Sequence, residues 1–228
     1  MTLSRYTELI RCLPHLDQAF TTKRTNWPSD TNTNPVFVKF CDQNFVTEDF
    51  KLSRADLFEV CKHSFHKAIF SIIFWGYPRN MRGNNFDSIL KALPQIEDAL
   101  AIPKDLSAED FKSVCIKLKN TGVGLSTLSK FLYFFQFKLG GRRCLILDKR
   151  IMDVINYKDG FKELKDLSLK DGINENNKYR KYVVYLQLME DLSSRNGYES
   201  DQLEFFLFSM GMNLKPSYEP TTLRNSFT

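Results

Sequence analysis

Apolar residues recur at a spacing of three to four positions over most of this chain, the pattern of amphipathic helices. In the clearest stretch, Ser53 is a favourable N-cap and the apolar stripe behind it continues to Trp75, which predicts one long helix. Helices are predicted over residues 3 to 12, 53 to 75, 107 to 118, 125 to 139, 174 to 195 and 200 to 210, with others from about 85, restarting at 94, and from 148.

Two stretches depart from helical spacing. Residues 21 to 35 are polar and rich in turn formers, as are residues 76 to 85, so both are predicted to be loops. Val36 to Phe40 alternates weakly and is interpreted as a short strand or edge segment. Gly140 and Gly141 are expected to end the helix that precedes them. The predicted fold class is therefore mainly α, with little or no β structure.

Composition narrows the class of protein. The 228 residues suffice for a sizeable core, in which the 20 phenylalanines are expected to dominate the packing. The most apolar run, Ala68 to Trp75, is too short to cross a bilayer, and the N-terminus lacks the apolar segment of a signal peptide. We expect a cytoplasmic protein without a membrane partner. The net charge of +5 is compatible with a nucleic-acid partner.

No metal or cofactor is expected. His63 and His66 have a spacing that could ligate a metal, but no third ligand lies nearby in the sequence, so ordinary histidines are the favoured interpretation. The cysteines form no CxxC pair and are expected to be separate reduced thiols; they are Cys12, Cys41, Cys61, Cys115 and Cys144.

A Gly-Val-Gly turn stands between two predicted helices. Gly122 and Gly124 allow unusual backbone angles and close approach, and the free N–H groups of the following helix favour an anion such as a DNA phosphate. Ser126 and Thr127 would add hydroxyl donors, and Lys119 would add positive charge. A tight turn with glycines for steric reasons alone explains the same pattern, so both interpretations stay open.

Asp148 stands out because it opens a helix 24 positions after Gly124, behind a short apolar segment. A carboxylate at that position could be an N-cap and nothing more. It also lies within a basic rim, which suits a site that holds phosphate near a developing cation. The rim consists of Arg142, Arg143, Lys149 and Arg150.

Together, Gly122-Val-Gly124 and Asp148 resemble the helix-hairpin-helix superfamily of DNA glycosylases. The resemblance implies a two-lobed helical fold, in which the hairpin, Lys149 and Arg150 hold DNA phosphates. It implies that Asp148 stabilises an oxocarbenium-like sugar or activates the attacking water. Trp75, Tyr77 and Phe208 are the candidate walls of a base pocket, with a role in the core left open for each.

A finer resemblance is to small bacterial proteins with an 8-oxoguanine DNA glycosylase fold, some encoded near anti-phage defence genes. The matching pieces span about residues 70 to 212 and are residues 74 to 77, the hairpin, residues 146 to 151, and residues 204 to 208 with Gly211. We expect a glycosylase-like domain over residues 51 to 215, preceded by an extension of unknown role over residues 1 to 50. The terminal residues 216 to 228 are expected to be a disordered tail.

The sequence departs from the bifunctional members of that superfamily at one position. Those members carry a Schiff-base lysine two residues after the second hairpin glycine, where this chain has Ser126. Lys130, one turn later, is the nearest lysine of that helix and is expected to be a solvated surface residue. A monofunctional hydrolase acting on a modified base is therefore expected, with Lys130 as a weaker catalytic candidate.

Two functional alternatives remain at this stage. The fold could serve as a non-catalytic nucleic-acid or nucleotide-binding module of a bacterial defence system, with salt-sensitive binding and no turnover. It could instead present a surface for a protein partner encoded in a defence operon. The biological setting, DNA repair or phage defence, rests on the resemblance alone.

Overall fold

The computed structural model describes residues 1–28, 34–165, 167 and 177–214. Within those residues the chain is mainly α-helical, as predicted. The helices are α1 Thr7–Arg11, α2 Pro35–Asn44, α3 Arg54–His63, α4 Phe65–Gly76, α5 Asn85–Lys91, α6 Leu93–Leu100, α7 Ala108–Lys117, α8 Leu125–Phe134, α9 Lys149–Asn156, α10 Lys178–Asn196 and α11 Ser200–Met210. The strands are β1 Ala19–Lys23, β2 Asp49–Ser53, β3 Asp105–Leu106, β4 Lys138–Leu139 and β5 Arg142–Arg143.

Side-chain caps fix several helix starts where the sequence predicted them. Ser53 accepts a hydrogen bond from Asp56 N, and the Asp56 carboxylate accepts one from Ser53 N, which is a complete capping box. Ser107 and Asp110 form the same reciprocal pair at the start of α7. Helix α11 has the predicted bounds, whereas the first positions of the helix predicted from residue 174 lie outside the described residues.

The prediction of a strand at Val36 to Phe40 is wrong, because these residues belong to α2. The side chain of Asn34 caps this helix by accepting hydrogen bonds from Val36 N and Phe37 N, with Pro35 at the first helical position. Phe37, Phe40 and Cys41 are buried on one face at helical spacing. These buried positions are three or four residues apart, as in a helix. Five residues were too short a stretch to distinguish this spacing from the alternation of a strand.

The single helix predicted from Ser53 to Trp75 is two helices. Ser64 has an extended backbone, with φ −154° and ψ 119°, and separates α3 from α4. All eight residues from Ala68 to Trp75 are buried. Helix α4 is thus enclosed by the core, and it packs against α3, α8 and β1.

Helix α8 ends at Phe134, earlier than predicted, and Gly140 and Gly141 do not terminate it. Both glycines have positive φ and form the two-residue turn between antiparallel β4 and β5. Strand β4 also pairs in parallel with β3, which completes a small three-stranded sheet. This sheet and the β1–β2 pair are the β structure of the described residues.

The first 50 residues contribute directly to the common core. Strand β1 pairs with β2 from Ala19 opposite Ser53 to Lys23 opposite Asp49. Leu3, Ile10 and Trp27 are buried in the same cluster as the central helices. These residues therefore form part of the scaffold that carries α3 and α4.

A fully buried ion pair connects distant parts of the chain. Arg54 and Glu204 have side chains with 0 % exposure, and Arg54 Nη1 lies 2.7 Å from Glu204 Oε2. Arg54 also donates to Gln18 Oε1 at 2.6 Å and to the Tyr133 hydroxyl at 3.0 Å. Burial raises the pKa of Glu204 to about 7, although the Arg54 charge opposes that rise. One guanidinium thus connects the residue before β1 with α8 and α11 at the start of α3.

Removal of one member of the Arg54–Glu204 pair should lower the stability of the fold. We expect Glu204→Leu to lower the free energy of unfolding by about 3–5 kcal/mol, because it leaves Arg54 buried and unpaired. Replacing both members, as Arg54→Met with Glu204→Leu, should recover most of that loss. Urea denaturation measures both, with Asp153→Ala in the exposed Lys149–Asp153 pair as a control expected to change stability by less than about 1 kcal/mol. A double variant as unstable as the single one would contradict this account.

Candidate active site

The turn between α7 and α8 forms one side of the site. Asn120 and Gly122 both have positive φ, at 65° and 82°, and the chain then enters α8 at Leu125. Gly124 is the N-cap and no side chain caps the helix start. The first N–H groups of α8 are consequently left for solvent or a ligand, as the sequence analysis proposed.

The two glycines of the turn are required for different reasons. A Cβ on Gly122 would collide with the carbonyl oxygen of Asn85, and its φ is positive. Gly124 has an ordinary φ of −81°, and nothing lies within 4 Å of where its Cβ would be. The expectation of unusual backbone angles therefore holds for Gly122 and is wrong for Gly124, whose missing side chain leaves an open surface over the backbone.

A surface pocket of about 360 Å³ lies against this turn. Lys119, Asn120 and Gly124 line it from the turn itself, and Lys119 is exposed. Lys178, at the start of α10, lines it from a distant part of the chain. Sequence reasoning missed Lys178, because only the packing of α10 brings it to the turn.

Asp148 caps α9 and faces α8 at the same time. Its Oδ1 accepts a hydrogen bond from Ile151 N at 3.1 Å, so the N-cap interpretation is correct. Its Oδ2 lies 3.9 Å from Lys130 Nζ, and the side chain is 16 % exposed. One oxygen is held by the helix start, while the other is directed at the lysine.

Lys130 is buried, with 3 % of its side chain exposed, so the expectation of a solvated surface lysine is wrong. Its Nζ donates to Ser126 Oγ at 3.1 Å and to the Ser126 carbonyl oxygen at 3.3 Å. The amine also lies 5.1 Å from the centre of the Tyr77 ring. Tyr77 follows the last turn of α4, so the site is built between α4, α8 and the start of α9.

The hydroxyl groups of the first turn of α8 point into the site. The Tyr77 hydroxyl is hydrogen-bonded to Thr127 Oγ1 at 2.8 Å and lies 3.4 Å from Ser126 Oγ. Thr127 is buried. Both hydroxyls already have partners inside the site, so the phosphate role predicted for them stays a prediction, and we expect the backbone N–H groups of the turn to be the main phosphate donors.

Three of the four residues of the predicted basic rim are paired with carboxylates other than Asp148. Arg142 lies 2.9 Å from Glu190, Arg143 lies 2.6 Å from Asp201, and exposed Lys149 pairs with Asp153 at 2.8 Å. Arg150 is exposed, and its guanidinium lies 5.1 Å from the centre of the Phe208 ring. Lys149 and Arg150 are thus at the surface beside Asp148, where the prediction placed them.

The three predicted aromatic walls lie in different surroundings. Trp75 is 3 % exposed, and its indole N–H donates to the Gln18 carbonyl oxygen, so it belongs to the core. Phe208 is half-buried, against Arg150 and 6.2 Å from Phe20. Of the predicted trio, Tyr77 and Phe208 remain available as walls, and Phe20 is a neighbour that the sequence did not indicate.

Two small residues that were not predicted lie around the lysine, Gly76 against its stem and Ser129 against the Ser126 carbonyl oxygen that accepts from its amine. Gly76 faces the Lys130 stem so closely that an added Cβ would lie 2.8 Å from Lys130 Cδ. Ser129 Oγ donates to the Ser126 carbonyl oxygen and accepts from Leu147 N, each at 3.1 Å. Ser129 thereby connects α8 to the segment that ends in Asp148. No periodic signal marks such contacts.

The metal alternative finds no support around the two histidines. His63 lies 2.8 Å from Glu59, whereas His66 lies 3.3 Å from Glu97 on a different helix. Over the ranges that the structure describes, no three His, Cys, Asp or Glu side chains cluster as metal ligands would. All five cysteines are free thiols.

The family model described as "Putative 8-oxoguanine DNA glycosylase OGG-like protein" matches residues 14–208. The chain belongs to this family. No curated protein and no solved structure matches the chain. Family membership supports a DNA-glycosylase-like role with DNA as the substrate. None of the helices in the described part of the chain has the length and apolar character needed to cross a bilayer.

A matched pair of glycine variants separates the two roles of the turn. We expect Gly122→Ala to lower the free energy of unfolding by about 2 kcal/mol, since a side chain at positive φ meets the Asn85 backbone. Gly124→Ala should leave stability nearly unchanged and weaken duplex DNA binding about tenfold, because its Cβ covers N–H groups offered to a phosphate. Thermal unfolding and fluorescence anisotropy measure the two effects. DNA affinity unchanged in Gly124→Ala would remove the hairpin from the binding surface.

Proposed function

We propose that this protein excises a modified base from DNA and that Asp148 and Lys130 are its reacting groups. The observation that carries the proposal is the buried Lys130 amine, fixed at 3.1 Å from Ser126 Oγ and 3.9 Å from Asp148 Oδ2. A buried amine can serve as the nucleophile at a sugar carbon, and the carboxylate that caps the neighbouring helix can accept its proton.

The geometry favours an amine nucleophile over the monofunctional mechanism expected from the sequence. Long side chains of a helix point back toward its N-terminus, so a lysine at position 130 reaches the space beside residue 126. Ser126 occupies the position where bifunctional superfamily members carry their lysine, and the Lys130 amine touches its hydroxyl. The amine is thus supplied from one turn later in the same helix.

The proposed reaction begins at the sugar carbon C1′. The Lys130 nitrogen attacks C1′, the bond between C1′ and the base breaks, and the base leaves with that electron pair. For this attack the Lys130 ammonium group first gives a proton to Asp148 Oδ2, which frees the nitrogen lone pair, and Asp148 then passes that proton to the departing base. Asp148 also stabilises the positive charge that develops on the sugar ring. A proton on the attached nitrogen then moves to O4′ as the C1′–O4′ bond breaks, which opens the sugar to a protonated imine with Lys130. Loss of the C2′ proton to water expels the 3′ phosphate by β-elimination and nicks the strand, and water then hydrolyses the imine and releases Lys130.

DNA binding in this proposal uses the turn and the surface beside Asp148. The open backbone at Gly124 and the positive end of α8 receive one phosphate, with Lys119 and Lys178 beside the pocket. Lys149 and Arg150 lie where a second phosphate would pass Asp148. Tyr77 and Phe208 are the surfaces on which an extruded base would stack.

A base-release assay tests the proposal. Labelled duplexes carrying a panel of modified bases, including 8-oxoguanine and modified cytosines of the phage type, are incubated with enzyme and split into samples with and without alkali. We expect wild type to nick its substrate without alkali. Asp148→Asn should slow base release by about 100-fold or more, although asparagine keeps the N-cap and the fold.

The lysine variants distinguish the nucleophile. Lys130→Met keeps the apolar stem and should abolish strand nicking, whereas Ser126→Lys combined with Lys130→Ser should restore part of it by returning the amine to the first turn. Base release by Lys130→Met at the wild-type rate, with nicking only after alkali, would establish water as the nucleophile. Binding without release on every duplex would favour a non-catalytic DNA-binding module. A defence role and a defence-operon partner stay predictions from the resemblance.

A further inference from the structure

Lys130 can act from its shifted position only if its flexible side chain is held. A lysine stem has four rotatable bonds, and an unheld amine would sample many positions relative to Asp148. Two contacts restrict it here. The Ser126 hydroxyl and carbonyl oxygens both accept hydrogen bonds from Nζ, and the stem passes over Gly76, where a side chain is absent.

We propose that Ser126 and Gly76 are positioning residues for the Lys130 amine, an inference that rests on the proposed function. Ser126 holds the nitrogen through two acceptors on one residue, and Gly76 provides the space for the stem. The pair fixes the amine beside Asp148 and beneath the Tyr77 ring.

The Ser126 hydroxyl is itself oriented by its neighbours. Because its oxygen accepts from Lys130, its proton is directed away from the amine, and the Tyr77 hydroxyl lies 3.4 Å from that oxygen. Tyr77 is in turn hydrogen-bonded to Thr127 Oγ1 at 2.8 Å. The hydroxyls of Ser126, Tyr77 and Thr127 form a short hydrogen-bonded chain that ends at buried Thr127. This chain fixes the direction of the Ser126 hydroxyl that accepts from the Lys130 amine.

The carbonyl oxygen of Ser126 is equally well placed. It accepts from Ser129 Oγ at 3.1 Å, and Ser129 Oγ accepts from Leu147 N, directly before Asp148. The Ser129 side chain therefore connects Ser126, which accepts from the Lys130 amine, to the backbone that carries the Asp148 carboxylate. A shift of Ser126 would change the distance between the two reacting groups, and displacements of about 1 Å at a reacting centre can cost about 100-fold in rate.

The test measures imine formation with a duplex that carries one abasic site, so that the unknown base does not matter. The Lys130 nitrogen adds to the C1′ aldehyde, water leaves, and hydride from added borohydride reduces the imine to a stable amine. Rates are measured in single turnover at saturating enzyme, and DNA affinity is measured separately. We expect Ser126→Ala to slow trapping by about tenfold to 100-fold with little change in affinity.

Two further variants separate positioning from a general structural role. Ser126→Thr keeps the hydroxyl and should trap near the wild-type rate. Gly76→Ala lies in a helix with ordinary backbone angles, so it should fold, but its Cβ displaces the Lys130 stem and should slow trapping by about tenfold. Trapping by Ser126→Ala and Gly76→Ala at the wild-type rate would overturn the inference while leaving the proposed function intact. Absence of trapping in wild type would remove both together.

Discussion

Burial of the Lys130 amine is the constraint on which the arrangement of the site depends. A buried ammonium group loses its hydration, and this loss is costly unless protein acceptors replace the water. Ser126 supplies two of those acceptors, and Asp148 supplies the nearby negative charge. The first turn of α8 thus has two functions, because its outer N–H groups are open to a phosphate while its inner side holds the amine.

The scaffold around α8 explains why this arrangement is rigid. Helix α4 is buried from Ala68 to Trp75, and its end places Gly76 against the Lys130 stem and Tyr77 beside the Lys130 amine. Across the core, Arg54 connects the segment before β1 with α8 and α11 through Gln18, Tyr133 and Glu204. The first 50 residues are therefore part of the structure that holds the site, although their sequence contains no motif that indicates such a role.

Local signals in the sequence were sufficient where the determining contacts are local. The helix starts at Ser53, Ser107 and Asp148 each depend on a hydrogen bond from the backbone N–H three positions later, and a helix was predicted to begin at each of them. The three-stranded sheet could not be predicted in this way, because β3 pairs with β4 more than thirty residues later, and each strand has only two residues. The break at Ser64 and the early end of α8 likewise depend on packing rather than on an interrupted apolar stripe.

The same distinction applies to the site. The Gly-Val-Gly turn and Asp148 were proposed as site residues from their spacing, and the family match supports the class of protein that this spacing indicated. The burial of Lys130 could not be found by spacing, because it results from Tyr77 and Gly76 on another helix. Lys178 reaches the hairpin pocket only through the packing of α10.

The most direct test of the central claim is to identify the residue that becomes attached to DNA. Wild-type protein would be incubated with abasic-site duplex and borohydride, digested with protease, and the cross-linked peptide sequenced by mass spectrometry. The account predicts a single adduct at Lys130, lost in Lys130→Met. An adduct on a different amine, or no adduct at all, would contradict the claim that this buried lysine is the nucleophile.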